Sequence, residues 1–312
     1  MDNLTHSLVG ALIGQAGLKR KTGLAMPALI IGANLPDVDA ACLFWLDGVQ
    51  HLGFRRGITH GPPAMLLLPL VLAGLLWGWD RWQAKRGKRP EGRLPVSFRW
   101  LYVLSLIGCL SHPALDWMNT YGIRLLEPFS SRWFYGDILF IIDVWLWLGL
   151  GFATWLSLRR EKRGGEWRRP ARIAIAGALA YIGVNAGITW FSEAMGEGSE
   201  PYLPGQVAIA SPPPFWSLER QVLVGARNDW WVRDPESHSM RPITEQRCAW
   251  PDVDRIRKTD PYLDAFLFWS RAPFAERAPD GSVLIRDARY YDPRGQNRFS
   301  VPLPDVKCEP VS

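Results

Sequence analysis

The chain has 312 residues, 48% of them hydrophobic, with 17 Trp and a formal net charge of +6. A basic balance can signal nucleic-acid binding, but here the Lys and Arg stand in clusters between apolar runs, the pattern that orients membrane proteins, and no nucleic-acid partner is expected. Composition breaks near Glu193–Pro204, from apolar runs to polar sequence rich in Pro and aromatics. Two domains are therefore expected, 1–192 and 193–312, joined by a stiff Pro-rich linker through Pro201, Pro204 and Pro212–Pro214. In chain order, Leu4–Leu18 is apolar but too short to span, and Gly23–Leu46 is long enough but broken by Asn34–Asp39. Pro63–Trp79, Phe98–Trp117, Ile138–Leu158 and Ile173–Phe191 each meet the roughly 20 residues that a bilayer core requires. Asp2 and His6 stand where a signal peptide would carry basic residues, so no cleavable leader is expected. Beyond the break, Gln221–Val224, Asp229–Val232, Phe266–Trp269, Ser282–Ile285 and Asp287–Tyr291 have strand length and β-favouring residues between turn signals.

Orientation follows from three basic clusters. Lys19-Arg20-Lys21 is the first, Arg81–Arg99 the second and Arg159–Arg172 the third. The positive-inside rule puts all three in the cytoplasm. The four spans then alternate and residues 193–312 emerge on the other side. The expected fold class is an all-α polytopic membrane domain followed by a small mostly-β extracytoplasmic domain, in a bacterial-type inner membrane.

Against that map stand eight ionisable residues at the ends of apolar segments or inside them: His6, Asp37, Asp39, His60, His112, Asp116, Asp137 and Asp143. Such groups are expensive in a membrane and mark function by default. All eight fall toward the outer side. Lys21 to Asp37 and Arg99 to His112 are each roughly 20–24 Å at the helical rise, which places the set just below the outer surface, at headgroup and glycerol depth. His and carboxylate together are the ligand set of zinc and similar ions. His112-Pro-Ala-Leu-Asp116 puts two ligands on one helix face, with Pro113 predicting a helix start or kink. Asp37-Val-Asp39, in a turn led by Pro36, suits bridging two ions. Arg56-Gly-Ile-Thr-His60 adds a ligand with a guanidinium nearby. Singly these are weak signals: a lone His in an apolar helix is commonly a hydrogen-bonded core group, and an isolated Asp-x-Asp is mostly a turn. Together they point to a site for one or two divalent ions. Asp137 and Asp143 are contenders for a ligand or supporting role, and Asp137 equally reads as a helix cap.

These segments resemble a known family. Met-Asp-Asn-Leu-Thr-His6-Ser, Leu-Pro36-Asp-Val-Asp39, Arg56-Gly-Ile-Thr-His60-Gly and His112-Pro-Ala-Leu-Asp116-Trp-Met-Asn119-Thr-Tyr-Gly122 look like the membrane-bound metal-dependent hydrolases, the YdjM-like inner-membrane proteins, with Pro128-Phe-Ser130 and Tyr135-Gly-Asp137 continuing the likeness. The resemblance covers roughly residues 1–190. That family is in turn distantly similar to zinc-dependent phospholipase C and the single-strand nucleases, all-α enzymes built on a zinc cluster. Carried over by motif, the resemblance implies His6, Asp39, His60, His112 and Asp116 as ligands, with Asp37 close by. The further His and Glu ligands of the soluble enzymes have no His counterpart after His112, and Asp137 or Asp143 would stand in.

The expected activity is metal-assisted hydrolysis, with one or two ions, zinc first, activating water. Asp37 and Asp39 are candidate bases or bridging ligands. Arg56 and Arg124 are candidate anion clamps, since guanidinium pairs bidentately with phosphate, although both also read as solvated loop charges. Asn119, Thr120 and Tyr121 are candidates to order the loop or to bond substrate. A site at headgroup depth suits a membrane lipid or lipid-linked substrate; a periplasmic phosphate ester competes. From another class, the chain reads as a metal-stabilised scaffold or an ion carrier without turnover. The chain has no Gly-x-Ser-x-Gly elbow and no Gly-rich phosphate loop. Cys42 and Cys109 read as packed small hydrophobes. Cys248 and Cys308 fall in the outer domain, where a disulfide is permitted but not readable from sequence. His51 and His238 read as a loop and a surface residue.

Overall fold

A computed structural model of the chain describes residues 1–200, 204–234, 236–291 and 299–311, so Pro201 of the expected linker lies outside the described residues. Internal contacts divide the chain into two compact units. The first is Met1–Asp39, Arg56–Ala186 and Pro214–Ser217; the second is Ala40–Arg55, Gly187–Pro213 and Leu218–Ser312. The division differs from the expected break near 192. Residues 40–55 join the second unit because their helix packs on a helix of the C-terminal region, with Gly53 set against Ala265.

The first unit is helical. Helix α1 (Asn3–Gln15) starts at Asp2, whose carboxylate accepts from the amides of Leu4 and Thr5. This is an N-cap that satisfies two otherwise orphaned donors. Helix α2 (Ala25–Gly32) leads into a 3-10 segment, Leu35–Phe44, begun by the Leu35-Pro36 pair. Helix α3 (Gln50–Phe54) belongs to the second unit, and a short 3-10 turn, Ile58–His60, precedes α4 (Pro62–Lys85). Helix α5 (Phe98–Trp117) packs against α2 and α4, while α1 packs against α2 and α6 (Val144–Lys162). Contact between α2 and α5 is close enough to require glycine. A Cβ on Gly32 would lie 2.7 Å from the Ser105 carbonyl oxygen, and one on Gly108 2.5 Å from that of Leu29. Small residues at such crossings let backbones approach where lipid supplies no hydrophobic drive between helices. Leu29, Leu101 and Leu104 fill one core; Leu12, Leu139, Leu146 and Leu150 fill another.

Two helices among the described residues are long and apolar enough to cross a membrane: α4 and α7 (Arg168–Glu197). The pair α2 with 35–44 passes the same test together, across a 50° bend. Helices α5 and α6 fall short, one carrying Arg99, His112 and Asp116, the other ending in Arg159, Arg160 and Lys162. Two local expectations are corrected. Helix α5 runs on through Pro113 rather than starting there. The expected span at 138–158 becomes a helix only from Val144, because Asp143 caps it by accepting from the Leu146 amide.

The second unit carries antiparallel sheets. Strands β1 (Val207–Ser211), β2 (Gln221–Ala226), β3 (Asp229–Arg233) and β4 (Met240–Pro242) pair in chain order. Two helices follow, α8 (Val253–Ile256) and α9 (Pro261–Trp269), and then strands β5 (Pro273–Arg277), β6 (Ser282–Asp287) and β7 (Ser300–Lys307), again paired in order. Both sheets share a core of Ile209, Leu223, Trp230, Ile243 and Phe274. The strands expected at 221–224, 229–232 and 282–285 are there. The one expected at 266–269 is the end of α9 instead: Asp260 accepts from the amides of Tyr262 and Leu263, Pro261 opens the helix, and Leu263, Phe266 and Trp269 bury one face. The segment 287–291 is a 3-10 turn at Ala288–Tyr290, capped by Asp287. Cys248 and Cys308 are joined by a disulfide, with Cα atoms 5.2 Å apart, while Cys42 and Cys109 are free and buried.

Candidate metal centre

Three separate stretches of the first unit bring their polar residues to one point. The 3-10 segment after α2 supplies Asp37, the turn before α4 supplies His60, and the last turns of α5 supply His112 and Asp116. One ligand atom from each of these four lies within 4.8 Å of all the others. His60, His112 and Asp116 are buried, and Asp37 is the most open of the set. Asp116 sits at the middle. Its Oδ2 is 3.4 Å from Nε2 of His112 and 3.7 Å from Nε2 of His60, and its Oδ1 is 3.3 Å from Nε2 of His6. Asp37 Oδ1 approaches Nε2 of His112 at 3.8 Å. The His6 ring stacks on that of His112, centroids 3.8 Å apart. The i, i+4 spacing of His112 and Asp116 delivers both to one face of α5, as helical geometry requires.

The imidazoles are oriented from behind. Nδ1 of His112 lies 2.7 Å from the Ala33 carbonyl oxygen, so it carries the proton and donates. That leaves the lone pair on Nε2, aimed at the cluster. His60 is held by a two-step chain. The Thr59 hydroxyl donates to Asp39 Oδ2 at 3.0 Å, and its oxygen accepts from His60 Nδ1 at 2.9 Å. Backing of this kind fixes the tautomer and ring plane of a ligating histidine. Asp39 therefore stands one step outside the four-residue group: its Oδ2 also accepts from the Arg56 amide at 2.7 Å and anchors the turn that carries His60. Among the described residues, Nε2 of His6 and Nε2 of His112 are buried atoms with no hydrogen-bond partner. Leaving such atoms unmade is costly. Two imidazoles and two carboxylates converging around the lone pair of His112 Nε2 are what a divalent cation needs, and the residues fit one.

Cations already flank Asp116. Nε of Arg56 is 3.0 Å from its Oδ2, and the Met1 amino group pairs with its Oδ1. Nη1 of Arg56 donates to Asn119 Oδ1 at 3.0 Å and to the Gly122 carbonyl at 3.2 Å, and its guanidinium lies over the Tyr121 ring. Asn119 also accepts from the Tyr121 amide, so it orders the loop after α5. Arg124 is buried and pairs with Glu127 at 2.9 Å, with its guanidinium over Trp133. Burial lowers its pKa against the pull of Glu127 and Asp39. Gly57 makes room for it: a Cβ there would lie 2.4 Å from Arg124 Nη2.

The remaining candidates fall outside the Asp37–His60–His112–Asp116 group. Asp137 is buried, at a positive φ of 53°, in the irregular stretch between α5 and α6. Asp143 is committed to capping α6 and to the Tyr181 hydroxyl, 2.8 Å from its Oδ2, so it serves helix packing. His51 is on α3 with Nδ1 2.7 Å from the Gly48 carbonyl oxygen, and His238 is exposed in the second unit. Sequence reasoning assigned no role to Thr59, although its place beside His60 was the available signal. The Ala33 carbonyl, a backbone group, had none.

No solved structure matches the chain. The protein named Uncharacterized protein YfhP, of Bacillus subtilis (strain 168), is 26% identical over 167 residues, which are 50% of this chain. The chain spans about half of that relative's length, 47%. The profile described as YdjM inner membrane protein matches residues 1–191, a stretch that contains every member of the Asp37–His60–His112–Asp116 group together with His6, Asp39 and Arg56. With that match and its apolar helices, this is a membrane protein that belongs to the YdjM inner membrane protein family.

Proposed function

We propose that the protein is a membrane-bound metal-dependent hydrolase whose centre lies toward the outer face of the inner membrane and which acts on a lipid or other phosphate ester. The observation that carries this reading is the buried Asp37–His60–His112–Asp116 group, with ligand atoms within 4.8 Å of one another and both imidazoles backed by hydrogen bonds. Two nitrogens and two carboxylate oxygens suit zinc. The two oxygens of Asp116 face different donors, His6 on one side and His60 with His112 on the other, which suits one ion or two. Such an ion supplies activated water and charge stabilisation at a phosphoryl or acyl oxygen. Asp37, the most open of the four, is the residue placed to take a proton at the mouth of the centre. Arg56 and Arg124 are the cations placed to meet an anionic substrate oxygen, in exchange for their present carboxylate partners. Val38 and Ile58, beside the ligands in sequence, are 54% and 59% exposed, and apolar side chains there favour a lipid substrate.

In this reading the chain crosses the membrane four times and residues 193–312 lie outside. The basic clusters support that orientation, as does a disulfide suited to an oxidising compartment. Elemental analysis of protein purified in detergent tests the metal: one or two equivalents of zinc are expected, and His112→Ala or Asp116→Asn should lose them. Cleavage of bis(p-nitrophenyl) phosphate or of phosphatidylglycerol vesicles should disappear in the same variants. Folded wild-type protein that takes up no divalent ion overturns the proposal. A second reading, a metal-stabilised scaffold, is favoured by the pairing of Asp116 with Arg56. It predicts zinc without cleavage, and a lower melting temperature after chelation.

A further inference from the structure

We propose that the C-terminal region carries a separate site for a phosphate group, in a cavity of about 480 Å³ bounded by the last turns of α7, the chain before β2, and strands β2 to β4. Three arginines line it, Arg220, Arg233 and Arg241, together with His238 and a single carboxylate, Glu219. The lining is therefore net cationic even with His238 neutral. Its other walls mix apolar side chains, Ile188 and Leu218 among them, with the polar Ser192 and Gln221.

The arginines are positioned rather than loose. Nε of Arg220 donates to the buried Thr189 hydroxyl on α7 at 2.9 Å, and Nη1 to the Glu219 carbonyl at 2.6 Å. Arg233, at the end of β3, donates to the Ser199 hydroxyl at 3.3 Å, and Arg241 on β4 faces Asp234 at 3.7 Å. The Ser199 hydroxyl orients the Arg233 guanidinium without cancelling its charge, while Arg241 shares its charge with Asp234, and a guanidinium has five donors in a planar fork that matches phosphate. The sheet is brought to α7 by a glycine: a Cβ on Gly196 would lie 2.8 Å from that of Ala208 and 3.1 Å from Val222. His238 adds a backbone signal, a non-glycine residue at φ 56°, of the kind that concentrates at binding sites. Charge, cavity and oriented guanidinium forks together select an oxyanion of phosphate size, with the apolar walls accepting an attached carbon chain. A phospholipid headgroup and a free phosphate share that chemistry. The site uses none of the residues of the metal centre.

The test is isothermal titration of the full chain in detergent micelles, with inorganic phosphate as one probe and dihexanoyl-phosphatidylglycerol as the other, each with and without EDTA. Saturable binding of at least one probe, unchanged by EDTA and weakened about tenfold or more in Arg233→Gln/Arg241→Gln, is expected from the loss of two charge-assisted contacts. Binding of inorganic phosphate assigns a free phosphate, and binding of the lipid alone assigns a headgroup. Arg241→Gln by itself, a change at an exposed side chain, should weaken binding partway and guards against misfolding of the double variant. No saturable binding of either probe, or binding equal in wild type and variants, overturns the proposal.

Discussion

At the residue scale, His60 owes its aim to atoms that never touch the ligand position. Its Nδ1 is tied through the Thr59 hydroxyl to Asp39, and the opposite nitrogen is left to face Asp116. Backing contacts of this kind are typically worth about 10–100-fold in metal affinity. Thr59→Val and Asp39→Asn should each weaken zinc binding by that factor while leaving the helical circular dichroism unchanged; competition with a fluorescent chelator measures it, and unaltered affinity would show the chain to be incidental. His112 and Asp116 were legible because i, i+4 spacing on a helix is a geometric statement. The order of Asp37 and Asp39 was not. In Asp37-Val-Asp39 both carboxylates are two residues apart in a turn, and which one reaches the cluster depends on the Arg56 amide and Thr59 that arrive from another segment. Asp143 illustrates the opposite case, since a carboxylate opening an apolar run reads alike whether it binds an ion or caps a helix.

At the element scale, the crossing of α2 and α5 positions the centre, because Ala33 just beyond α2 is the partner of His112 on α5. Gly32 and Gly108 hold that crossing tight. Gly108→Ala would set a Cβ 2.5 Å from a backbone oxygen, which does not yield as a side chain does. A loss of about 1–3 kcal/mol is expected for such overpacking. Gly74→Ala on α4, where nothing lies within 4 Å, should be neutral or gain by roughly 1 kcal/mol from helix propensity alone. Thermal unfolding in detergent separates the two, and equal melting temperatures would refute the packing argument. Helices were the readable part of this fold because apolar runs of twenty residues have few alternatives. Phe266–Trp269 misled because a short aromatic run suits strand and buried helix alike; the deciding signal was Asp260-Pro261 upstream, a cap followed by a proline at the first helical position.

At the scale of the whole molecule, the second unit contains its own buried ion pair. Burial alone would raise the Asp287 carboxyl, but Arg289, which donates to it through Nε and Nη2, and the Ser270 hydroxyl outweigh that and hold it below the usual carboxylate range. A depressed folded pKa contributes stability that is fully present above the unfolded value, about 3.9, and drains away as pH falls through the folded one. The C-terminal unit should therefore keep its stability from neutrality down to about pH 4 and lose it below. Asp287→Asn should flatten that dependence and cost about 3–5 kcal/mol, the usual result of breaking one side of a buried pair. Denaturant titrations followed by tryptophan fluorescence across this pH range decide it; an acid limb as steep in the variant as in wild type would contradict the assignment.

The bond from Cys248 to Cys308 closes a ring of chain, 60 positions apart in sequence, that takes in α9, β5, β6 and β7. A single protease cut in the turn around Pro279 and Asp280, between β5 and β6, opens the backbone without releasing a fragment. The nicked molecule should run as one band on a denaturing gel and fall into two only when a reductant is added. A cut in that turn would therefore go unnoticed on any gel run without reductant.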